Sequence, residues 1–141
     1  MMGVGKSTLG KRLAKKLKLK FIDIDKIIEK KISLEELRKC NSVIALGGGA
    51  FMDSSIRKEA KNLSISFWLD LRVESLLTRL KNVKKRPLLS QDKLEESINK
   101  IYSERKKIYS KSDFKIKCNL MNVDQIVDKI VKLYENSGNK I

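Results

Sequence analysis

The sequence predicts an α/β protein with three layers (α/β/α), in which helices cover both faces of a parallel sheet. Short apolar runs alternate with stretches of helical periodicity along the chain, and this alternation is typical of parallel sheets. The run at 42–46 is almost entirely apolar, which indicates a strand buried on both faces. A run of glycine, lysine and hydroxyl residues lies directly before the first helical stretch, as in loops that bind phosphate.

The elements can be placed in order from periodicity and turn residues. The predicted strands lie at 20–23, 42–46, 65–69 and 114–118. The predicted helices lie at 9–17, 25–32, 53–62, 73–80, 94–109 and 126–133, and Asp53 or Ser54 is the predicted cap of the third. The only proline lies in a loop at 84–92 that interrupts the alternation. We expect this loop to be a mobile lid that extends over about 82–93.

The composition indicates one globular domain over residues 1–141, because this length supports one core and is too short for two ordinary domains. No apolar run is long enough to span a bilayer, and the N-terminus lacks the pattern of an export signal. We therefore expect a cytoplasmic protein without a membrane segment. Cys40 and Cys118 have no neighbours at metal-ligand spacing, so we expect both to be buried, unreactive thiols. The chain has no histidine, so proton transfer has to use Asp, Glu or Lys.

The formal net charge of +15 has two interpretations, a nucleic-acid surface or a solvated lysine-rich exterior around a site for anionic ligands. The lysines are dispersed along every predicted helix instead of forming one stripe. Aromatic residues make up only 6% of the chain, so a platform on which bases could stack is not evident. These observations favour small anionic ligands and no nucleic acid, and we expect a monomer.

The first ten residues contain most of the phosphate-loop pattern Gly-x-x-x-x-Gly-Lys-Ser/Thr. Glycines let successive backbone N–H groups turn towards phosphate oxygens, and the following helix adds its positive N-terminal end. Lys6 would reach the β- and γ-phosphates, and the Ser7 hydroxyl would ligate Mg²⁺. The predicted nucleotide-binding residues of this loop are Gly3, Val4, Gly5, Lys6, Ser7 and Thr8. The alternative is a glycine-containing tail ahead of an ordinary lysine-rich helix.

Two carboxylates lie at and just after the end of the strand at 20–23, close to where the phosphate loop would bind nucleotide and metal. Ligands of open α/β sheets bind outside the carboxyl ends of the strands, so Asp23 and Asp25 are candidate site residues. One carboxylate could support Mg²⁺ through water, while the other takes the proton of a reacting hydroxyl group. Asp25 could instead serve only as the N-cap of the helix that follows.

Three consecutive glycines, Gly47, Gly48 and Gly49, follow the strand at 42–46. Such a run loses much backbone entropy on folding, which is reasonable where a ligand approaches the main chain closely; a tight strand-to-helix turn is the alternative. Cations lie in or near the later loop, and phosphoryl transfer needs such charge because its transition state spreads negative charge over several oxygens. These cations are Arg79, Lys84, Lys85, Arg86 and Arg105, of which Lys84 and Lys85 are better explained as solvated lid residues.

Together these motifs resemble the shikimate kinase family, which belongs to the P-loop enzymes similar to nucleoside monophosphate kinases. The resemblance rests on five segments in the family's order, at 2–8, 21–25, 45–50, 86–89 and 104–109. It implies the P-loop NTPase fold with a five-stranded parallel sheet and a lid loop. It also implies ATP-dependent phosphorylation of the 3-hydroxyl group of shikimate, which gives shikimate 3-phosphate and ADP in the biosynthesis of aromatic amino acids.

The same resemblance implies roles for individual residues, with ATP and shikimate as partners and Mg²⁺ as cofactor. The implied catalytic residues are Lys6, Asp25 and Arg86, with Asp25 as the candidate base. The implied metal ligands are Ser7 and Asp23. The implied nucleotide contacts beyond the phosphate loop are Arg79, over the adenine, and Arg86, which would close from the lid. The implied shikimate-binding residues are Asp25, Gly47, Gly48, Gly49 and Arg105.

Two features of the family do not match this sequence. The family has a strand before the phosphate loop, and the first glycine of the loop pattern would fall one position before Met1. The family also has a substrate-binding segment with a Phe-Arg-x-x-Glu motif, whereas here helical spacing passes from Ile32 to Leu34 with no turn residue beyond Ser33. We therefore expect the functional polypeptide to contain a strand and a segment near 33–34 that this sequence omits, because neighbouring strands would otherwise expose unpaired edges.

Two other functions stay open at this stage. One is a kinase for another small hydroxylated metabolite or a nucleotide. The other is a nucleotide-binding or nucleic-acid-binding protein without catalysis, such as a degenerate relative of the family. Turnover that depends on shikimate would separate the shikimate kinase from both.

Overall fold

The computed structural model of the chain describes residues 5–24, 38, 41–81 and 91–138. The helices of these ranges are α1 (Lys6–Leu17), α2 (Ser54–Leu63), α3 (Val73–Lys81), α4 (Gln91–Tyr109) and α5 (Val123–Asn136), with a short 3₁₀ turn at Ala50–Met52. The strands are β1 (Lys20–Asp23), β2 (Ser42–Ala45), β3 (Phe67–Asp70) and β4 (Phe114–Lys117). The predicted helix at 25–32 and the break near 33–34 lie outside the described residues.

The four strands form two parallel pairs. In the first pair β1 lies beside β2, with Phe21 opposite Val43, and in the second pair β3 lies beside β4, with Leu69 opposite Ile116. The predicted α/β class with parallel strands is therefore confirmed. The described residues do not form one five-stranded sheet, because no strand of the described ranges lies between β2 and β3.

A cavity of about 330 Å³ lies between the two strand pairs, and we call it the interstrand cavity. Every residue of 41–48 and every residue of 63–69 lines it. Since successive side chains of a strand point to opposite faces of the sheet, lining by consecutive residues means that the cavity meets the backbone edges of β2 and β3. Leu9, Leu13 and Leu17 of α1 also line this space.

The main core lies between α1, the β3–β4 pair and helices α3 to α5. Leu76 of α3 is 1% exposed and Ile116 of β4 is fully buried, and both belong to the larger apolar cluster. Cys118, directly after β4, is part of the same cluster, and its burial raises the pKa of the thiol to about 11. The thiol therefore stays protonated at neutral pH, which confirms the prediction of an unreactive cysteine at this position; Cys40 lies outside the described residues.

Local hydrogen bonds decide where the helices begin. The Asp53 carboxylate accepts hydrogen bonds from the N–H groups of Ser55 and Ile56, which confirms Asp53 as the cap of α2. Helix α5 begins three residues before its predicted start at 126, because Asn122 and Gln125 form a capping box. Apolar periodicity places the start of this helix at Ile126, because it does not take the capping residues into account.

The predicted bounds of the strand at 65–69 were wrong: the strand begins two residues later, at Phe67, and ends one residue later, at Asp70. Pairing with the short strand β4 restricts β3 to Phe67–Asp70, and the Asp70 carbonyl accepts a bond from Cys118 N–H at 2.8 Å. A charged residue can end this buried strand because its carboxylate is paired with Lys115 and Tyr102.

Within the described ranges, no helix has the length and apolar character that crossing a membrane requires.

A close approach between α1 and β1 seats the first helix. A Cβ atom added to Gly10 would lie only 2.3 Å from Cε2 of Phe21, so a glycine is needed for the ring to pack directly on the helix backbone. Gly10 is buried, as are its neighbours Leu9, Leu13 and Ala14. This face of α1 is therefore in contact with the sheet, while Lys11, Lys15 and Lys16 are exposed on its other side.

We expect Gly10→Ala to lower the free energy of unfolding, measured by urea denaturation, because the added methyl group displaces the Phe21 ring. Overpacking costs about 1–3 kcal/mol, and the higher helix propensity of alanine offsets up to about 1 kcal/mol of it. Gly49→Ala is the matched control, since a Cβ atom there would meet nothing within 4 Å. Equal stability of Gly10→Ala and the unmodified protein would contradict the close packing.

Candidate active site

The N-terminus of α1 begins at a glycine in a left-handed conformation. Gly5 has φ 82° and ψ 28° and precedes Lys6, the first residue of the helix. Only glycine adopts this conformation at little cost, so the glycine of the predicted loop is needed here by the backbone itself. Because the cap residue is a glycine, it has no side chain that could accept a hydrogen bond from the first-turn N–H groups of α1. Such a helix start is suited to an anion.

The Ser7 hydroxyl donates a hydrogen bond to Oδ2 of Asp23 at 2.5 Å. This bond joins the first turn of α1 to the carboxyl end of β1 and brings together two of the predicted residues. A hydroxyl oxygen and a carboxylate oxygen side by side are the hard donors that Mg²⁺ prefers.

Mg²⁺ in kinases is held by one or two protein groups together with substrate phosphates. Among the residues that the structure describes, no cluster of three or more acidic, cysteine or histidine side chains could enclose a metal ion. The Ser7 and Asp23 pair therefore fits a Mg²⁺ ion that also binds nucleotide phosphates.

Arg79 of α3 lies beside the phosphate loop. A Cβ atom added to Gly5 would lie 4.0 Å from Nη1 of Arg79, and the Arg79 side chain is exposed. The structure thus brings a guanidinium group to the start of α1, where phosphates are expected. Its predicted position over the adenine base stays a prediction.

None of the three glycines after β2 has a positive φ. The positive-φ glycines of the described ranges include Gly5 and Gly138, and none of Gly47, Gly48 and Gly49. The backbone conformation alone therefore does not require glycine at these positions. Open space lies where a Gly49 side chain would project, and this is the arrangement expected if a ligand approaches the main chain.

The phosphate loop and the glycine run reach the same space. Lys6, Gly47 and Gly48 all line the interstrand cavity, although Lys6 and Gly47 are 41 positions apart in the sequence. Arg105 of α4 is half-buried and does not line that cavity. Thr8 is exposed on α1. The remaining predicted residues lie outside the described ranges: Gly3, Val4, Asp25, Arg86 and most of the predicted lid.

Two tyrosines of α4 make polar contacts that the sequence analysis missed. Tyr109 donates a hydrogen bond to the Gly48 carbonyl oxygen, and Tyr102 donates one to Oδ1 of Asp70 at 2.9 Å. Burial, and then the hydrogen bond to Asp70, raise the pKa of Tyr102 to about 12, so its hydroxyl group remains a donor at neutral pH. The helical pattern of 94–109 predicts a helix but does not indicate what the two hydroxyl groups bind. The available signal was their spacing around Arg105.

Asp70 is the one charged group of the buried core that the described ranges contain, with 8% of its surface exposed. Lys115 Nζ lies 2.9 Å from Oδ2 of Asp70 and 4.2 Å from the centre of the Trp68 ring. The carboxylate therefore has a cation on one oxygen and the Tyr102 hydroxyl on the other. Pairing of both oxygens offsets the cost of burying this carboxylate.

We expect Asp23→Asn to weaken binding of Mg²⁺–ATP on the order of 10-fold to 100-fold, the range typical for groups that orient or support a metal. Asparagine keeps the size of the side chain and an oxygen for the Ser7 bond but removes the charge. Isothermal titration with ATP, with and without Mg²⁺, measures the effect. Asp124→Asn removes an exposed carboxylate at the start of α5 and is the control. Equal Mg²⁺ dependence in both variants would contradict the metal role.

Comparison with known proteins places this geometry in context. The family model described as shikimate kinase matches residues 2–36 and 31–135. A shikimate kinase of Thermodesulfovibrio yellowstonii is 32% identical over 161 positions, which cover 98% of this chain and 93% of the relative. A shikimate kinase of Persephonella marina is 35% identical over 153 positions, with 92% of each chain covered.

Solved structures agree with these relatives. Shikimate kinase from Acinetobacter baumannii in complex with shikimate superposes with a TM-score of 0.85 at 26% identity, covering 97% of this chain and 90% of that one. Shikimate kinase from Bacteroides thetaiotaomicron has a TM-score of 0.83 at 25% identity, covering 98% and 94%. Matches of this extent in sequence and in fold lead to one conclusion, that the chain belongs to the shikimate kinase family.

Proposed function

We propose that this protein transfers the γ-phosphoryl group of ATP to the 3-hydroxyl group of shikimate, giving shikimate 3-phosphate and ADP. The observation that carries the proposal is the Ser7–Asp23 contact at the start of α1, within a chain of the shikimate kinase family. That contact supplies the hydroxyl and carboxylate pair that Mg²⁺–ATP requires beside a phosphate loop. The structural similarity to a shikimate kinase in complex with shikimate supports the acceptor.

On the nucleotide side, Lys6 and the first N–H groups of α1 bind the phosphates. Ser7 and Asp23 would hold Mg²⁺, which supplies charge neutralisation between the phosphates when it is bound. Arg79 already lies beside Gly5, close to the expected phosphates, and in this proposal its guanidinium group extends over the adenine base. The predicted lid, with Arg86, closes over the nucleotide and excludes water.

On the acceptor side, the loop Gly47–Gly49 and Arg105 bind shikimate. The open space at Gly49 supports the role of the loop, and an arginine at the half-buried position 105 can bind a carboxylate with two parallel bonds. Asp25 binds the reacting hydroxyl group and accepts its proton as the oxygen attacks phosphorus. Lys6 and Arg86 offset the negative charge that spreads over the transferred oxygens. In this proposal the enzyme acts in the cytoplasm as a monomer.

We also propose that the active enzyme has two parts of the family fold that this sequence omits. Around 31–36 the family model matches in two overlapping pieces, and the alignment with the Thermodesulfovibrio relative spans more positions than the 141 residues of this chain. The overlap of the two pieces supports a substrate-binding segment of the relatives at this point, and the alignment length supports positions in the relative that this chain lacks. The interstrand cavity, bounded by two backbone edges beside Lys6, supports a further parallel strand directly before the phosphate loop.

A second candidate follows from the same observations. Without the segment near 33–34 the chain would lack an arginine that the resemblance places against the shikimate carboxylate. The protein would then be a relative that binds nucleotide without phosphorylating shikimate. A kinase for another hydroxylated metabolite is the remaining alternative, and a panel of acceptors distinguishes it.

We expect Lys6→Ala to lower shikimate-dependent turnover at least about 100-fold, because a cation that stabilises transition-state charge contributes on this scale. Release of ADP, measured in a coupled assay with and without shikimate, tests both the residue and the function. Lys11→Ala on the exposed side of α1 is the control. ADP release that shikimate does not increase would contradict the proposed function, and full turnover in Lys6→Ala would contradict the phosphate-loop assignment.

We expect an added apolar strand to stabilise the protein by filling the interstrand cavity. The variant carries the five residues Ile-Val-Leu-Ile-Gly directly before Met1, which also completes the phosphate-loop pattern. Its melting temperature should rise by at least roughly 4 °C, which corresponds to about 1 kcal/mol in a domain of this size. A control extension, Pro-Asp-Pro-Ser-Gly, has the same length but cannot pair with both edges. Equal melting temperatures of the two variants would contradict the strand.

A further inference from the structure

Three side chains share one face of α4. Tyr102, Arg105 and Tyr109 follow the spacing i, i+3, i+7, which places them on one side of a helix. Their accessibilities agree, because Tyr109 is buried and the other two are half-buried, whereas Glu104 and Lys106 between them are exposed. The predicted acceptor-binding arginine thus stands between two tyrosines on the face that packs against the rest of the protein.

Each tyrosine hydroxyl group is bonded to a different part of the fold. Tyr109 donates to the carbonyl oxygen of Gly48, in the loop proposed to bind shikimate. Tyr102 donates to Asp70 at the end of β3, and Asp70 is held in turn by Lys115 of β4. One end of the shared face is therefore tied to the glycine loop and the other end to the β3–β4 pair.

The ring of Tyr109 reinforces this connection. It meets the rings of Phe51 and Trp68 edge-to-face, with a centroid distance of 6.1 Å in each case. Phe51 belongs to the 3₁₀ turn that follows the glycine loop, and Trp68 belongs to β3. Tyr109 therefore contacts both the segment that follows β2 and strand β3, and its buried hydroxyl group leaves little freedom for a different position.

We propose that Tyr109 and Tyr102 are positioning residues that hold Arg105 at a set distance and angle from the Gly47–Gly49 loop. This inference rests on the proposed function, because it assumes that Arg105 and the loop bind the same acceptor. An arginine recognises a carboxylate through a planar fork, so a small rotation of α4 misaligns both of its bonds. The tyrosines prevent that rotation by two bonds about two helical turns apart. They act through Arg105 and the loop, without contact to the acceptor.

Tyr109→Phe tests the proposal, because it removes the hydroxyl group and keeps the ring contacts. We expect KM for shikimate to rise roughly 3-fold to 10-fold, the range that corresponds to one hydrogen bond, with kcat and KM for ATP within about 2-fold. Tyr102→Phe should have a similar effect. In the double variant, KM for shikimate should rise by less than the product of the two single effects, because both tyrosines hold the same arginine in position. Tyr134→Phe on α5 is the matched control and should change neither constant.

Amide hydrogen exchange gives a readout that does not depend on activity. The N–H groups of Ala50 and Met52 are bonded to the carbonyl oxygens of Gly47 and Gly49, so their exchange reports on the order of the loop. Exchange at both should be faster in Tyr109→Phe and unchanged in Tyr134→Phe. Unchanged exchange at these amides in Tyr109→Phe would overturn the inference.

The outcomes separate this inference from the proposed function. Shikimate-dependent turnover with an unchanged KM for shikimate in Tyr109→Phe would overturn the positioning role and leave the function standing. A rise in both KM values together with a lower melting temperature would indicate a general structural role and would also overturn it. If the unmodified protein releases no ADP in response to shikimate, the proposed function fails, and the exchange of Ala50 and Met52 then decides whether Tyr109 orders the loop.

Discussion

The apolar face of α1 is the contact on which the rest of the structure depends, because this one helix packs on the β1–β2 pair and on α5 and also belongs to the core cluster that contains residues of β3 and β4. Leu9 and Leu13 lie in the core cluster with Ile116 of β4, and Gly10 brings the same helix against Phe21 of β1. Burial of one leucine side chain contributes on the order of 1.5–3 kcal/mol, so this face contributes much to the stability of the core. The same packing sets the Ser7 hydroxyl beside the carboxylate at the end of β1.

Helix α4 makes the second connection between the strand pairs, and it uses hydrogen bonds where α1 uses apolar contact. Tyr109 reaches the loop after β2, and Tyr102 reaches the end of β3. Bonds of this kind contribute modestly to stability but leave buried groups unpaired if the helix shifts, so they specify its position. In the described part of the chain, no buried side-chain nitrogen or oxygen lacks a partner. Helix α1 thus contributes mainly to stability through apolar burial, whereas the hydrogen bonds of α4 mainly fix its position.

The charges of the surface affect binding more than folding. The Arg12–Asp124 pair joins α1 to α5 at 2.6 Å, but both side chains are more than half exposed, and exposed pairs of this kind contribute little. Lys16 and Asp128 form a second exposed pair between the same helices. With a net charge of +15, the protein attracts anions over some distance, and both ATP and shikimate are anionic.

The sequence by itself determined the features that depend on near neighbours. Strand β1 was predicted at its observed bounds, and the observed cap Asp53 was one of two predicted caps, because a short apolar run and a capping side chain act within a few residues. Ser7 and Asp23 were predicted together only as metal ligands, through the family resemblance, and the hydrogen bond between them was not predicted. The class of the fold followed from the alternation of strands and helices.

Only the tertiary structure decided the contacts between distant segments. Tyr109 and Gly48 are 61 residues apart, and Tyr102 and Asp70 are 32 apart, so nothing local to either tyrosine reveals its partner. The interstrand cavity could not be predicted from the sequence either, because it depends on how the strands pair with one another and not on the residues of any one strand. Periodicity describes which face of an element is buried, whereas the packing of whole elements determines what that face meets.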